Sequence, residues 1–210
     1  MVHLKRPYIA VRDGTYASYG GSQQWLEGKS RQAAACGLIA AADVLLYLRG
    51  ERELTREEYL AYVDSLRRYF PLIPYRGIDG VRLAVGLSRC LRAAGLPYRA
   101  RWCASGEKLF ARAEEMLERD IPVILSIGPN LPAFWRAEKL TLYRRTAEGA
   151  YLPAEATRAH FVTVTGLDGE YLRISSWGRQ LFIRRTEYER YQRRYSAGVF
   201  TNLVYLEQSR

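Results

Sequence analysis

Histidine is almost missing from this chain: among 210 residues there are only His3 and His160, beside three cysteines, Cys36, Cys90 and Cys103. No Cys-x-x-Cys pair occurs, so the ligand set of an ordinary structural zinc site is absent and neither a metal nor another cofactor is expected. Three unevenly spaced cysteines cannot build a disulfide framework, and a reducing compartment would keep them as thiols. Long apolar runs are lacking as well. Asp43 and Arg49 interrupt the longest one, which predicts no membrane-spanning helix and no membrane partner. The opening residues, Met1 to Tyr8, carry neither an apolar core nor a small-residue cleavage site, so a cytoplasmic protein is expected. Internal repeats and low-complexity linkers are also absent, and residues 1–210 are expected to form a single domain.

Lysine is scarce too. Of the 32 basic residues only Lys5, Lys29, Lys108 and Lys139 are lysine, and the net charge is +10. Such a balance suits an anionic partner, but the arginines are scattered over the whole chain and often stand near glutamate. The densest patch, Arg184 to Tyr195, interleaves Arg with Tyr. It reads as a solvated helix face with its tyrosines turned inward rather than as a platform for bases, so no nucleic-acid partner is expected.

What is present is apolar sequence, 48% of the chain, enough for a sizeable core. Small and apolar residues run from Ala33 to Leu48, which predicts a buried helix of three to four turns with Leu38, Ile39, Val44, Leu45 and Leu48 in the core. Cys36 stands near its start. Unpaired N–H groups and the positive end of the helix dipole favour a thiolate there. Thr55-Arg56-Glu57-Glu58 reads as a capping box opening a helix that Pro71 stops. Further helices are predicted over Val81–Ala94 and Ser105–Glu118, with a short strand, Tyr98–Cys103, between them. Cys90 falls on an apolar stripe and reads as core. Residues 1–30, rich in Tyr, Gly and Ser, read as a loop-like approach.

After Asp120 the pattern becomes β: strands are predicted over Ile121–Gly128, Leu140–Arg145, His160–Gly166, Tyr171–Ser176, Gln180–Arg184 and Val199–Leu206, with a helix around Thr186–Arg194. Helices first and strands second predict an α+β fold, a mainly helical half (1–120) packed against an antiparallel sheet (121–210) with a cleft between them. Asp168-Gly169 is a strong two-residue turn signal. Pairing Leu167 with Glu170 puts Val162 opposite Ser175, which places Ser175 on the face of His160 and Ser176 on the other face.

A Cys-Gly opening the central helix (Cys36-Gly37), a His-x-Val-x-Val-x-Gly strand (His160 to Gly166) and Ser175-Ser176-Trp177-Gly178, in that order, resemble the papain-like cysteine peptidases. The short Cys36-Gly37-x-x-Ala40-Ala41-Ala42 helix looks more like their small bacterial relatives, including leader-cleaving peptidase domains. The resemblance implies a papain-like fold and a hydrolase acting on a peptide or protein substrate. It implies Cys36 as nucleophile, His160 as general base and acid, and Trp177 as the indole shielding the pair. The family's His-orienting Asn or Asp falls on Ser175 here. The family's oxyanion glutamine would fall on Ser30; Gln32 is the favoured substitute among Gln32, Gln23 and Gln24.

These two departures motivate an alternative, an inactive papain-fold binding protein that uses its basic Tyr/Arg-rich surface for an acidic peptide or nucleic acid. A specificity pocket could draw on Tyr69, Phe70, Tyr75 or Trp135.

Overall fold

A computed structural model describes residues 1–73, 77–102, 107–128, 137–196 and 202–209. Tyr75, Cys103, the Ser105 cap, Trp135 and positions 199–201 of the last predicted strand lie outside the described residues.

The helices are α1 (Lys29–Ala34), α2 (Cys36–Leu48), α3 (Arg56–Leu66), α4 (Gly80–Ala93), α5 (Glu107–Glu118) and α6 (Arg185–Tyr195). Strands β1 (Val2–His3), β2 (Ala10–Asp13), β3 (Tyr16–Ala17), β4 (Glu53–Thr55) and β5 (Tyr98–Trp102) fall in the first 120 residues. The rest are β6 (Val123–Ile127), β7 (Leu140–Arg145), β8 (Tyr151–Thr157), β9 (His160–Asp168), β10 (Tyr171–Ser176), β11 (Arg179–Arg184) and β12 (Leu203–Gln208). The large sheet runs β5-β12-β6-β9-β10-β11-β7-β8, with β1 added beside β9, and its pairings are antiparallel. A small sheet, β3-β2-β4, stands apart. The α+β class read from the sequence is the one observed.

The central helix begins three residues into its apolar run. Ala35 is both the C-cap of α1 and the N-cap of α2, which starts at Cys36. Every residue of α2 from Cys36 to Tyr47 is buried, as expected of a helix apolar on all sides. Gly37 lets it approach β9, α4 and the segment that precedes α4: an added Cβ would lie 2.8 Å from Ile78, 3.3 Å from Phe161 and 3.5 Å from Leu83. The capping box of α3 is complete, Thr55 Oγ1 accepting from the Glu58 N–H while the Glu58 carboxylate accepts from the Thr55 N–H.

Residues 1–30 are more than an approach. They supply β1 to the large sheet, β2 and β3 to the small one, and a 3-10 turn, Gln23–Trp25, capped by the Ser22 hydroxyl. Strand β8, which is not among the strands expected from the sequence, contains Pro153, a residue unfit for a sheet interior. It is tolerated at the end of the sheet order, where β8 pairs only with β7. In α6, Tyr188, Tyr191 and Tyr195 are buried while Arg185, Arg190, Arg193 and Arg194 are exposed, so these rings are not offered to bases.

Candidate active site

The β9–β10 hairpin decides which serine faces His160. Its turn residues are Gly169 and Glu170, with Asp168 paired to Tyr171, one position beyond the expected turn. A β-bulge then intervenes: Arg173 pairs with Gly166 but Ile174 with Val164, leaving Thr165 as the extra residue. One inserted residue moves every later side chain to the other face. The expected pairing of Ser175 with His160 is therefore corrected. His160 Nε2 lies 2.8 Å from Ser176 Oγ, whereas Ser175 Oγ donates to the Tyr19 carbonyl at 2.8 Å and approaches Asp43 Oδ2 at 3.5 Å.

Trp177 covers the imidazole, its ring 4.6 Å from that of His160 and 12° from parallel. It occupies the two-residue turn between β10 and β11 with Gly178, at φ 52° and 71° respectively. Both are left-handed conformations of the kind a tight hairpin requires, and at Trp177 that conformation is strained. The turn is held in place by the N-terminal segment. The Gly178 N–H donates to the Gly21 carbonyl at 2.9 Å, and the Tyr19 N–H donates to the Gly178 carbonyl at 2.8 Å.

A pocket of about 10 Å³ gathers Cys36, Ala40 and Asp43 from α2, Gly21 and Gln23 from the N-terminal segment, His160 and Thr163 from β9, Ser175 and Ser176 from β10, and Trp177. That is room on the order of one water molecule. Burial pushes the Cys36 thiol above its ordinary range, while the N–H groups of Phe161, Gly37 and Cys36 itself favour the thiolate. The helix terminus thus supplies the donors expected of it, and burial outweighs them. Burial also pulls His160 down to about 4. At neutral pH the resting site holds a thiol and a neutral imidazole.

Gln32 does not reach this pocket. Its side-chain amide donates to the carbonyls of Gln24 and Leu26, at 3.2 and 2.8 Å, and braces the preceding turn. Gln23 takes the place beside Cys36, with its Nε2 donating to the Gln32 carbonyl at 2.6 Å. The six residues of α1 between Gln23 and Cys36 make the sequence spacing misleading, because a helix returns the chain over a length that a loop would spend on distance.

One residue of the site went unassigned in the sequence. Asp43 is the acidic side chain within the buried span of α2, and it accepts from Tyr59 Oη at 2.7 Å, Tyr8 Oη at 3.0 Å and the Gly21 N–H at 3.1 Å. Burial raises its carboxyl to about 6, these donors acting the other way. Its position seven residues after Cys36, two turns along the same face, was the available signal.

With this geometry in view, the fold can be placed among known ones. It is shared with a protein from Bacillus anthracis described as a C39-like peptidase: the match covers 90% of this chain and 95% of that one, with 14% identity and a TM-score of 0.52. The peptidase domain of Streptococcus ComA, a bi-functional ABC transporter in a quorum sensing pathway, also matches, at 12% identity over 83% of this chain and 91% of that chain, with a TM-score of 0.41. The likeness to the Bacillus anthracis protein is one of fold, an α+β chain with a large antiparallel sheet. No protein-family model and no curated protein sequence matches the chain. Among the described residues no helix is long and apolar enough to cross a membrane, and no cluster of three or more His, Cys, Asp or Glu could hold a metal ion.

Proposed function

We propose that the chain is a cysteine peptidase that cleaves a peptide or protein through a thioester on Cys36. The observation carrying this reading is that Cys36 at the start of α2 and the Ser176-bound, Trp177-covered His160 line one pocket. With Nε2–H donated to Ser176, Nδ1 is the ring nitrogen left to take the thiol proton. The sulfur then attacks the scissile carbonyl carbon, and the negative oxygen is met by the Cys36 N–H and the Gln23 side-chain amide, one of whose hydrogens is already held by Gln32. The imidazolium gives its proton to the departing amine as the C–N bond breaks. Water, deprotonated by the same imidazole, cleaves the thioester and restores the thiol.

Ser176 orients the ring but carries no charge, so the imidazolium lacks the carboxylate partner of other triads. The small bacterial leader-cleaving domains that the Cys36 helix resembles make leader-type peptides the first substrate class to try. Cys36 and Cys90 are free thiols, which suits a reducing compartment. Cleavage of a mixed peptide library, read by mass spectrometry of the products, tests the reading: it is expected in the wild type and abolished in Cys36→Ala and His160→Ala. Cleavage that survives Cys36→Ala would sink it.

A further inference from the structure

Asp43 is the buried ionisable group of the pocket to which the proposed chemistry gives no task. It sits on the same α2 face as Cys36 and gathers groups from three other elements: Tyr8 and Gly21 from the N-terminal segment, Tyr59 from α3, and Ser175 from β10 at 3.5 Å. The Gly21 N–H reaches both carboxylate oxygens, at 3.1 and 3.3 Å. The segment so held is the one that organises the site. Gly21 precedes Gln23 by two residues and accepts from the Gly178 N–H, in the turn that lays Trp177 on His160. The approach is close enough to require glycine. An added Cβ at Gly20, where φ is +74°, would meet Asp43 Oδ2 at 2.4 Å, and one at Gly21 would meet Tyr59 Oη at 1.9 Å.

We propose that the ionised carboxylate of Asp43 is a positioning residue for the Cys36–His160 pair, fastening the Gly20–Gly21 strap to α2 and thereby fixing Gln23 and the Trp177–Gly178 turn around the reacting groups. It rests on the peptidase reading above. The chemistry of the donors explains why ionisation matters. A carboxylate accepts from all its neighbours, whereas a protonated carboxyl must donate from one oxygen, and the Gly21 N–H cannot receive that proton. The groups facing Asp43 are Tyr8, Tyr59 and Ser175, with Tyr19 and Thr163 next to them, and among the described residues no cation forms an ion pair with it. Its raised carboxyl places the change within an accessible pH range.

The test is the second-order rate of Cys36 labelling by N-acetyl-alanyl chloromethyl ketone, whose carbonyl occupies the oxyanion position, followed from pH 5 to 9 by intact-protein mass spectrometry. The wild type is expected to lose reactivity below about pH 6 more steeply than thiol titration alone requires. Asp43→Asn, which keeps the shape and fixes the donor–acceptor pattern of the neutral carboxyl, is expected to react about tenfold more slowly at pH 8, a loss typical of a displaced catalytic group. It should converge on the wild type near pH 5. Tyr59→Phe retains the carboxylate but removes a donor, so its inflection should move to higher pH. A purely structural role would slow Asp43→Asn equally at all pH values. That result, an unchanged rate, or an inflection that persists in Asp43→Asn or stays put in Tyr59→Phe would overturn the inference. His160→Ala separates the two readings: labelling indifferent to His160 removes the peptidase proposal, whereas His160-dependent labelling indifferent to Asp43 removes this inference alone.

Discussion

At the scale of single residues, the two serines of Ser175-Ser176 divide two tasks. Ser176→Ala leaves His160 Nε2 without its partner and is expected to lower peptide cleavage about tenfold or more, whereas Ser175→Ala removes a bond to the Tyr19 carbonyl and should cost about 1 kcal/mol of stability. Paired kinetics and urea unfolding of the two variants check this. The pocket's two titratable groups act oppositely on stability. His160, depressed from 6.5 to about 4, contributes stability that is full above about pH 6.5 and is lost as the pH falls through 4. Asp43, raised from 3.8 to about 6, contributes stability that is full below about pH 3.8 and is lost as the pH rises through 6. Each contribution is on the order of 3 kcal/mol, so the two nearly cancel between pH 4 and 6. In His160→Ala the first contribution disappears, and relative to the wild type this variant should gain stability as the pH falls from 6.5 to 4. Denaturant titrations of both proteins at several pH values measure the difference. Cys36 and His160 were legible in the sequence because their residue types are rare and their neighbours patterned. Asp43 was visible only as an interruption of an apolar run, since its meaning depends on Tyr8, Gly21 and Tyr59, which are distant in sequence.

At the scale of elements, local signals were readable where the determinants were local. The Thr55 capping box was legible from four residues, and Thr55→Ala is expected to cost about 1 kcal/mol by thermal unfolding. The β9–β10 hairpin was legible as a hairpin, but its register was not. The bulge at Thr165 is announced only by the neighbouring Gly166. The extra residue is tied to the N-terminal segment, with Tyr19 Oη donating to Thr165 Oγ1 at 2.8 Å and the Leu4 N–H to its carbonyl at 3.2 Å, as well as to the hairpin, where Thr165 Oγ1 donates to the Arg173 carbonyl at 3.4 Å. That single insertion exchanged the roles of Ser175 and Ser176. The Trp177–Gly178 turn is similarly tertiary. Gly178 combines φ +71° with an approach that would put a Cβ 3.3 Å from Ser18 and Trp25. Gly178→Ala is expected to destabilise by about 1–2 kcal/mol and to loosen Trp177 from His160, seen as a shift in the His160 ring resonances by NMR.

At the scale of the molecule, the order of helices before strands conveyed the α+β class, and burial conveyed the central helix. The sheet's composition did not follow from that order, because β1 and β5 come from the first 120 residues and β8 is disguised by Pro153. Among the described residues several arginines stand in ion pairs between distant parts of the chain, such as Arg6–Asp120, Arg101–Glu207 and Arg179–Glu155, so part of the basic charge is neutralised within the fold. The whole arrangement converges on one thiol, and the chain supplies its own control. Cys90 is buried on α4 with its thiol pushed up to about 12, whereas Cys36 faces the pocket. The most direct measurement is therefore peptide mapping of the native protein after brief exposure to iodoacetamide at neutral pH, with His160→Ala alongside. Modification is expected at Cys36 and not at Cys90, with a rate at Cys36 that falls about a hundredfold without the imidazole. Equal labelling of the two cysteines, or Cys36 reactivity unchanged in His160→Ala, would contradict this expectation.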